Sequence, residues 1–380
     1  MSLALHAGVF AAGLAIGAVA VTATSSPSTS RLPGPSAPAA KPEERQSKPN
    51  KLQDLVPRPD NGSLQRVNST TAVEVLKYGF PGPVSDLLQR QAYVAAYDRQ
   101  KRHPAWTAEH LTAANLGKST APALPLPSTA SESATSSYAE ALIKKQEERQ
   151  QIPKGDRANS TFKEDPDVPE LFRAKLEDYF RSGYDRGHMV PAADAKRSQE
   201  AMDETFLLTN IAPQVGDGFN RHYWAYVEDF CRRLTTPFSD VYVFTVPLYL
   251  PKQERDGKWR VTYEVIGPQA GGPPSVAVPT HFAKVILGAR PANPATPLIM
   301  DTSIGAFVLP NAVIPDETPL EIFKVPVDAV EKAAGLSLFD SVTKATSKDL
   351  CRTVKCDVIV RRFDDAAKKG SRRNSTGSRQ

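Results

Sequence analysis

The chain has 380 residues, of which 40% are hydrophobic and 23% charged, and a net charge of +5. Lys368, Lys369, Arg372, Arg373 and Arg379 place that entire +5 in an acid-free tail over 366–380, so residues 1–365 sum to zero. This excludes a body that grips polyanions by overall charge, and three cysteines are too few and too odd for a disulfide framework.

Residues 3–24 carry no Asp, Glu, Lys or Arg, and the first charged side chain is Arg31. Such a stretch is long enough to cross a bilayer as a helix. It reads equally as a membrane anchor, a secretory signal peptide or an organelle-targeting segment, with Ala18, Ala20 and Ala23 as small residues for a signal-peptidase site. Residues 25–65 follow as a disordered linker rich in Ser, Pro, Ala and Lys. A folded domain is expected over 66–365, interrupted near 117–151 by a low-complexity insertion that ends in a charged, helix-forming run. The tail 366–380 reads as basic and disordered.

Within the domain, 93–97 alternates as a strand, and His103 and His110 fall in a stretch expected to be helical. Residues 180–189 are expected to lead into a strand, followed by a helix over 195–202 and a short strand over 206–209. Trp224, Val227, Cys231 and Leu234 recur at spacings of three and four, which predicts an amphipathic helix over 221–234. Strands are predicted over 241–246, 259–266, 282–287 and 306–309, a helix over 325–335, and a last strand over 357–360. All three cysteines, Cys231, Cys351 and Cys356, are expected as buried thiols. The mixture predicts an α+β fold with antiparallel strands.

One constellation carries chemistry. Cutting a phosphodiester with water needs a base, a cation against the growing charge, and donors that hold the phosphate. Histidine titrates near neutrality, Mg²⁺ prefers oxygen ligands and arginine matches phosphate oxygens. In the segment 184–194, YDRGHMVPAAD, an extended backbone points Arg186 and His188 to one face and Asp185 to the other. Gly187 between them allows a close approach. Downstream come Asn210 in LLTNIAPQ, then Asn220 at the start of the amphipathic helix, where it could also cap it, and Glu228 two turns on.

The run DRGHMVPAADAKRSQEAMDETFLLTNIAPQVGDGFNRHYWAYVEDFCRRL closely resembles the DNA/RNA non-specific nuclease family in its mitochondrial endonuclease G branch. Supporting matches are YDRQKRHPAW at 97–106, FKEDPDVPELFRAKLEDY at 162–179 and TYEVIG at 262–267. The resemblance covers most of residues 70–365. It implies a ββα-metal (His-Me finger) fold with a central antiparallel sheet flanked by helices. It implies His188 as general base, Asn220 as the one direct protein ligand to Mg²⁺ (with Mn²⁺ able to substitute), and Glu228 as the carboxylate that orients water on the metal. Arg186 and Arg157 match phosphate contacts, Asp185 a buttress and Asn210 a positioning residue. The implied substrates are DNA and RNA, with 5′-phosphate products.

A homodimer is also implied, in the mitochondrion, at the inner membrane through the N-terminal segment or in the intermembrane space. Rival readings are a secreted nutritional nuclease and an inactive homologue that only binds nucleic acid. One departure from the branch stands out: Val246 replaces the Gly that precedes Pro-Leu-Tyr, and a β-branched residue resists positive φ.

Overall fold

A computed structural model describes residues 83, 85–118, 154–268, 272–293 and 295–360. The chain divides into the units Met1–Pro83 and Val84–Gln380, and every element below belongs to the second. The expected targeting segment, the linker, most of the insertion and the basic tail lie outside the described residues. Among the described residues no helix is long and apolar enough to cross a membrane.

The chain enters an antiparallel meander of β1 (Ser85–Gln89), β2 (Tyr93–Asp98) and β3 (His103–Leu111). His103 and His110 therefore lie on a strand, not the expected helix. The reason is visible in the burial of β3: Thr107, Glu109 and Leu111 are covered, while Ala108 and His110 are less so, a period of two.

Next come α1 (Leu176–Tyr179), β4 (Asp185–His188), α2 (Gln199–Glu204) and β5 (Ile211–Gln214). The expected helix over 195–202 starts late because Ser198 is its cap, its hydroxyl accepting the N–H of Ala201. The expected strand over 206–209 is only an isolated bridge from Leu207 to Lys163 and a 3₁₀ turn at Leu208–Asn210. A widened, π-type turn at Gly216–Tyr223 then runs into α3 (Trp224–Arg233).

Beyond α3 lie β6 (Asp240–Leu248) and four two-residue strands: β7 (Lys252–Gln253), β8 (Trp259–Arg260), β9 (Val265–Ile266) and β10 (Val276–Ala277). The expected strand over 259–266 thus pairs only at its two ends. The long strands β11 (His281–Pro291) and β12 (Met300–Pro310) follow, then β13 (Lys324–Val325), α4 (Val327–Ala334), β14 (Lys348–Asp349) and α5 (Leu350–Thr353). Gly335, in the left-handed conformation at φ 69°, ends α4.

Among the described residues the central sheet has eight strands, ordered β1-β2-β3-β6-β11-β12-β13, with β14 also on β12. Helix α3 covers one face: Trp224, Val227, Phe230, Cys231 and Leu234 pack on Val241, Val243, Phe282, Ile286 and Phe307. The other face packs Val246, Val285, Ala306 and Val308 against Val330 of α4 and Leu338. Val246 sits inside β6 in extended conformation, so this position makes no demand for glycine.

Two expectations fail at the C-terminal end. Residues 357–360 form no strand, and Cys351 and Cys356 are joined as a disulfide; only Cys231 is a buried thiol. The bond closes the short turn of α5 on itself. Arg233 at the end of α3 then donates to the carbonyl of Asp357 at 2.7 Å, which uses the backbone acceptor a sheet partner would have taken.

Candidate active site

β4 and β5 pair antiparallel, Asp185 opposite Gln214 and His188 opposite Ile211. They form a small sheet of their own, and α3 follows β5 through the widened turn. Gly187 is required here because an added Cβ would collide with the buried side chain of Gln214. The close approach foreseen at Gly187 is therefore made by a side chain of the neighbouring strand.

Strand alternation separates the site into two halves. On one side, the guanidinium of Arg186 lies 4.5 Å from the ring centre of Phe162. The His188 ring lies 5.4 Å from Phe162 and meets Phe206 edge-on at 4.8 Å. Arg157 covers the Phe206 ring at 5.6 Å. Two arginines and the histidine thus surround one aromatic wall. Burial, and then the charge of Arg157, push the His188 imidazole down to about 3, so the ring is neutral at ordinary pH. Its Nε2 is sealed from solvent and has no hydrogen-bond partner among the described residues.

On the other side, the Asp185 carboxylate accepts from Asn220 Nδ2 at 2.8 Å and from Arg221 at 2.8 and 2.6 Å. Burial alone would raise the Asp185 carboxyl, but these hydrogen bonds outweigh it and hold the group below the usual range. A carboxylate only accepts, so the Asn220 amide must offer it nitrogen and turn its oxygen elsewhere. That oxygen is the kind of donor a hard cation takes. Asn220 is thus committed to Asp185 and does not act as a side-chain cap. The turn that delivers it is built on glycine: Gly218 has φ +73°, and a Cβ on Gly216 would lie 2.8 Å from the Asp185 carboxylate. His222 braces the same turn, its Nδ1 accepting the Gly218 N–H at 2.9 Å.

Glu228 lies two turns further along and keeps partial exposure. Desolvation by the protein packed around it nonetheless pushes its carboxyl up to about 7, against the pull of Lys284 and Arg232. Asn210 is fully buried behind β4. Its Oδ1 accepts from Val190 at 3.0 Å, and its Nδ2 donates to the carbonyls of Val190 and Thr205, each at 2.9 Å. It therefore fixes the chain as it leaves His188. The aromatic wall was not foreseen: Phe162 stood only as a letter in the FKEDP match, and Phe206 was read as part of a strand.

Among the described residues no group of three or more His, Cys, Asp or Glu is placed to cage a metal. A cation held by one amide oxygen and otherwise by water and substrate matches this donor set, and matches Mg²⁺. A cavity of about 930 Å³ opens elsewhere, along Tyr93, Glu109, His110 and Tyr242, and touches none of His188, Arg186 or Asn220. Size does not mark the chemistry here; the convergence of base, amide and arginines does.

The sequence profile of the DNA/RNA non-specific endonuclease family matches residues 72–125 and 127–345. The chain belongs to this family. The nuclease is 48% identical over 298 residues to a protein named mitochondrial nuclease from Saccharomyces cerevisiae, covering 78% of each chain. It is 36% identical over 282 residues to a mitochondrial endonuclease G from Caenorhabditis elegans, covering 74% of this chain and 77% of that one. Among solved structures it resembles a chain of the EndoG/EndoGI complex, a study of EndoG inhibition, with 39% identity and a TM-score of 0.55, covering 74% of this chain and 96% of that one. Strands β4 and β5 with α3 are the ββα-metal unit of that fold, and the nuclease is an endonuclease of low sugar specificity.

Proposed function

We propose that the nuclease hydrolyses DNA and RNA with one divalent ion, using His188 as base and Asn220 as the protein's ligand to the ion. The observation that carries this reading is the pair of faces on β4. One presents a neutral imidazole, and the other fixes the Asn220 amide through Asp185.

Because Nε2 of His188 is sealed, Nδ1 is the nitrogen that takes a proton from water. The water oxygen attacks phosphorus in line, the P–O3′ bond breaks, and the product carries a 5′-phosphate and a 3′-hydroxyl. Arg186 and Arg157 hold the non-bridging oxygens from the aromatic wall. When bound, Mg²⁺ or Mn²⁺ supplies positive charge against the charge growing on the phosphate and the leaving oxygen. Glu228 orients water at that end, and Asn210 keeps the His188 segment in register. Contacts of this kind carry no base information, so sequence preference is weak.

The names of the relatives support a mitochondrial location. The uncharged stretch 3–24 supports attachment at the inner membrane or release into the intermembrane space. The Cys351–Cys356 disulfide fits a compartment where disulfides persist. A homodimer is part of the same reading.

Cleavage of plasmid DNA and of RNA by the full chain, with Mg²⁺ and with chelator, tests the proposal. Cutting of both, abolished by chelator, is expected. Tight binding without cutting under Mg²⁺ or Mn²⁺ would leave the inactive-homologue reading standing instead.

A further inference from the structure

The sheet face beneath α3 carries polar groups in a core that is otherwise aliphatic and aromatic. Thr107 and Glu109 of β3, Thr245 of β6 and Lys284 of β11 lie there, with Thr107 opposite Thr245 and Thr245 opposite Lys284. All are buried, Lys284 to 1% and Glu109 to 5% exposure. Lys284 Nζ donates to Thr245 Oγ1 at 2.9 Å and lies 5.0 Å from the ring centre of Trp224. Among the described residues, both carboxyl oxygens of Glu109, Thr107 Oγ1, Asp194 Oδ2 and Trp224 Nε1 are buried with no hydrogen-bond partner.

Unpartnered buried polar groups destabilise a fold, and apolar side chains of similar volume would be safer here. Stability therefore does not account for the cluster. Its position does. Trp224, Glu228 and Arg232 recur every four residues and share one side of α3. Lys284 lies against the first of them, and Asp194 pairs with the third at 2.8 Å. Glu228 stands between. Asp194 itself belongs to the segment that continues from His188, so its pair with Arg232 ties the chain leaving β4 to the helix. Burial and the neighbouring Asp194 hold the Glu109 carboxyl well above the usual range. Lys284 and Arg232 are then the cations set against Asp194 and Glu228.

We propose that Lys284 is a positioning residue for hydrolysis: with Glu109 and Asp194 it forms a buried frame that holds Glu228 at the metal end of the site. This rests on the reading of Glu228 given above.

The test is a double-mutant cycle in the full chain with Lys284→Met, Glu228→Gln and both. Turnover on plasmid DNA is read together with Mn²⁺ binding in the absence of substrate, followed by electron paramagnetic resonance. Lys284→Met is expected to lower kcat about tenfold or more, to leave KM within about threefold, and to weaken Mn²⁺ binding. In the Glu228→Gln background it should cost nothing further, because the frame acts through Glu228. A merely structural lysine would instead lower the folded fraction and multiply with Glu228→Gln. Glu228→Gln at the wild-type rate would overturn the reading of Glu228 itself. An impaired Glu228→Gln beside an unimpaired Lys284→Met, or a multiplicative cycle, would overturn the frame alone. Should Lys284→Met not fold, Thr245→Val removes the ammonium's hydrogen bond at nearly constant shape. A kcat loss of a few-fold is then expected, and an unchanged kcat overturns the proposal.

Discussion

Asn220 Nδ2 donates to Asp185 Oδ2 at 2.8 Å, and this contact decides which end of the Asn220 amide is left for a cation. In Asp185→Asn the partner can donate as well as accept, so the amide of Asn220 loses its fixed sense. Arg221 loses its paired carboxylate in the same step. Residues behind a metal ligand typically tune affinity by about 10- to 100-fold. The Mg²⁺ concentration for half-maximal cleavage should rise by about that factor in Asp185→Asn. An unchanged Mg²⁺ requirement would show that Asp185 does not orient the ligand.

Gly187→Ala forces a Cβ into the buried Gln214 side chain, between the two residues whose placement matters most. Overpacking of this kind costs about 1–3 kcal/mol. Thermal unfolding should show that loss. Cleavage should fall further than stability explains, since β4 must shift with His188 on it. A fully active Gly187→Ala would mean that Gln214 swings aside freely.

Acid should destabilise this protein through its histidines. His188 is pushed down to about 3 and His103 to about 4, both by burial, whereas an unfolded histidine titrates near about 6.5. As pH falls through about 6.5 the unfolded chain takes up protons that the folded chain refuses, so stability drops. The loss is complete only below the folded values. In His103 burial outweighs the bond that Nδ1 donates to the carbonyl of Pro104 at 2.8 Å, which favours the charged ring, and protonation would cost the bond that Nε2 accepts from the Tyr249 hydroxyl at 2.5 Å. Replacing His188 by Asn should shrink the fall in Tm between pH 7.5 and about 4.5. An equal fall in both proteins would place the acid sensitivity elsewhere.

The disulfide between Cys351 and Cys356 closes a loop with a sequence separation of 5. A loop that short stabilises by about 2 kcal/mol on the chain-entropy account. Reductant, or Cys351→Ser with Cys356→Ser, should lower Tm by a few degrees. Near-neutral cleavage rates are expected to survive, because the bond lies at the far end of α3 from Asn220. Full loss of cleavage on reduction would contradict that separation.

Much of the site was legible because it is local. Strand alternation over Asp185–His188 separates the Arg186 and His188 face from the Asp185 face, and a spacing rule places α3. What stayed hidden depends on partners distant in the chain. The Phe162 and Phe206 rings reach His188 from two other segments. The role of Asp185 needs Asn220, which only the glycine turn at 216–218 brings within reach. His103 and His110 were misread because charged and polar neighbours obscure a period of two that burial makes plain. Cysteine pairing escaped for a different reason: spacing restricts which cysteines can meet but does not bring them together.

The central claim is that His188 is the base and the rest of the site serves it. Its most direct test is the single-turnover cleavage rate of His188→Ala against wild type on plasmid DNA at saturating Mg²⁺, with folding checked by circular dichroism. Removing a general base typically costs about 10²- to 10⁴-fold. A folded His188→Ala slowed by that much, with DNA binding kept, is the predicted result. A folded His188→Ala that cuts at close to the wild-type rate would contradict the account.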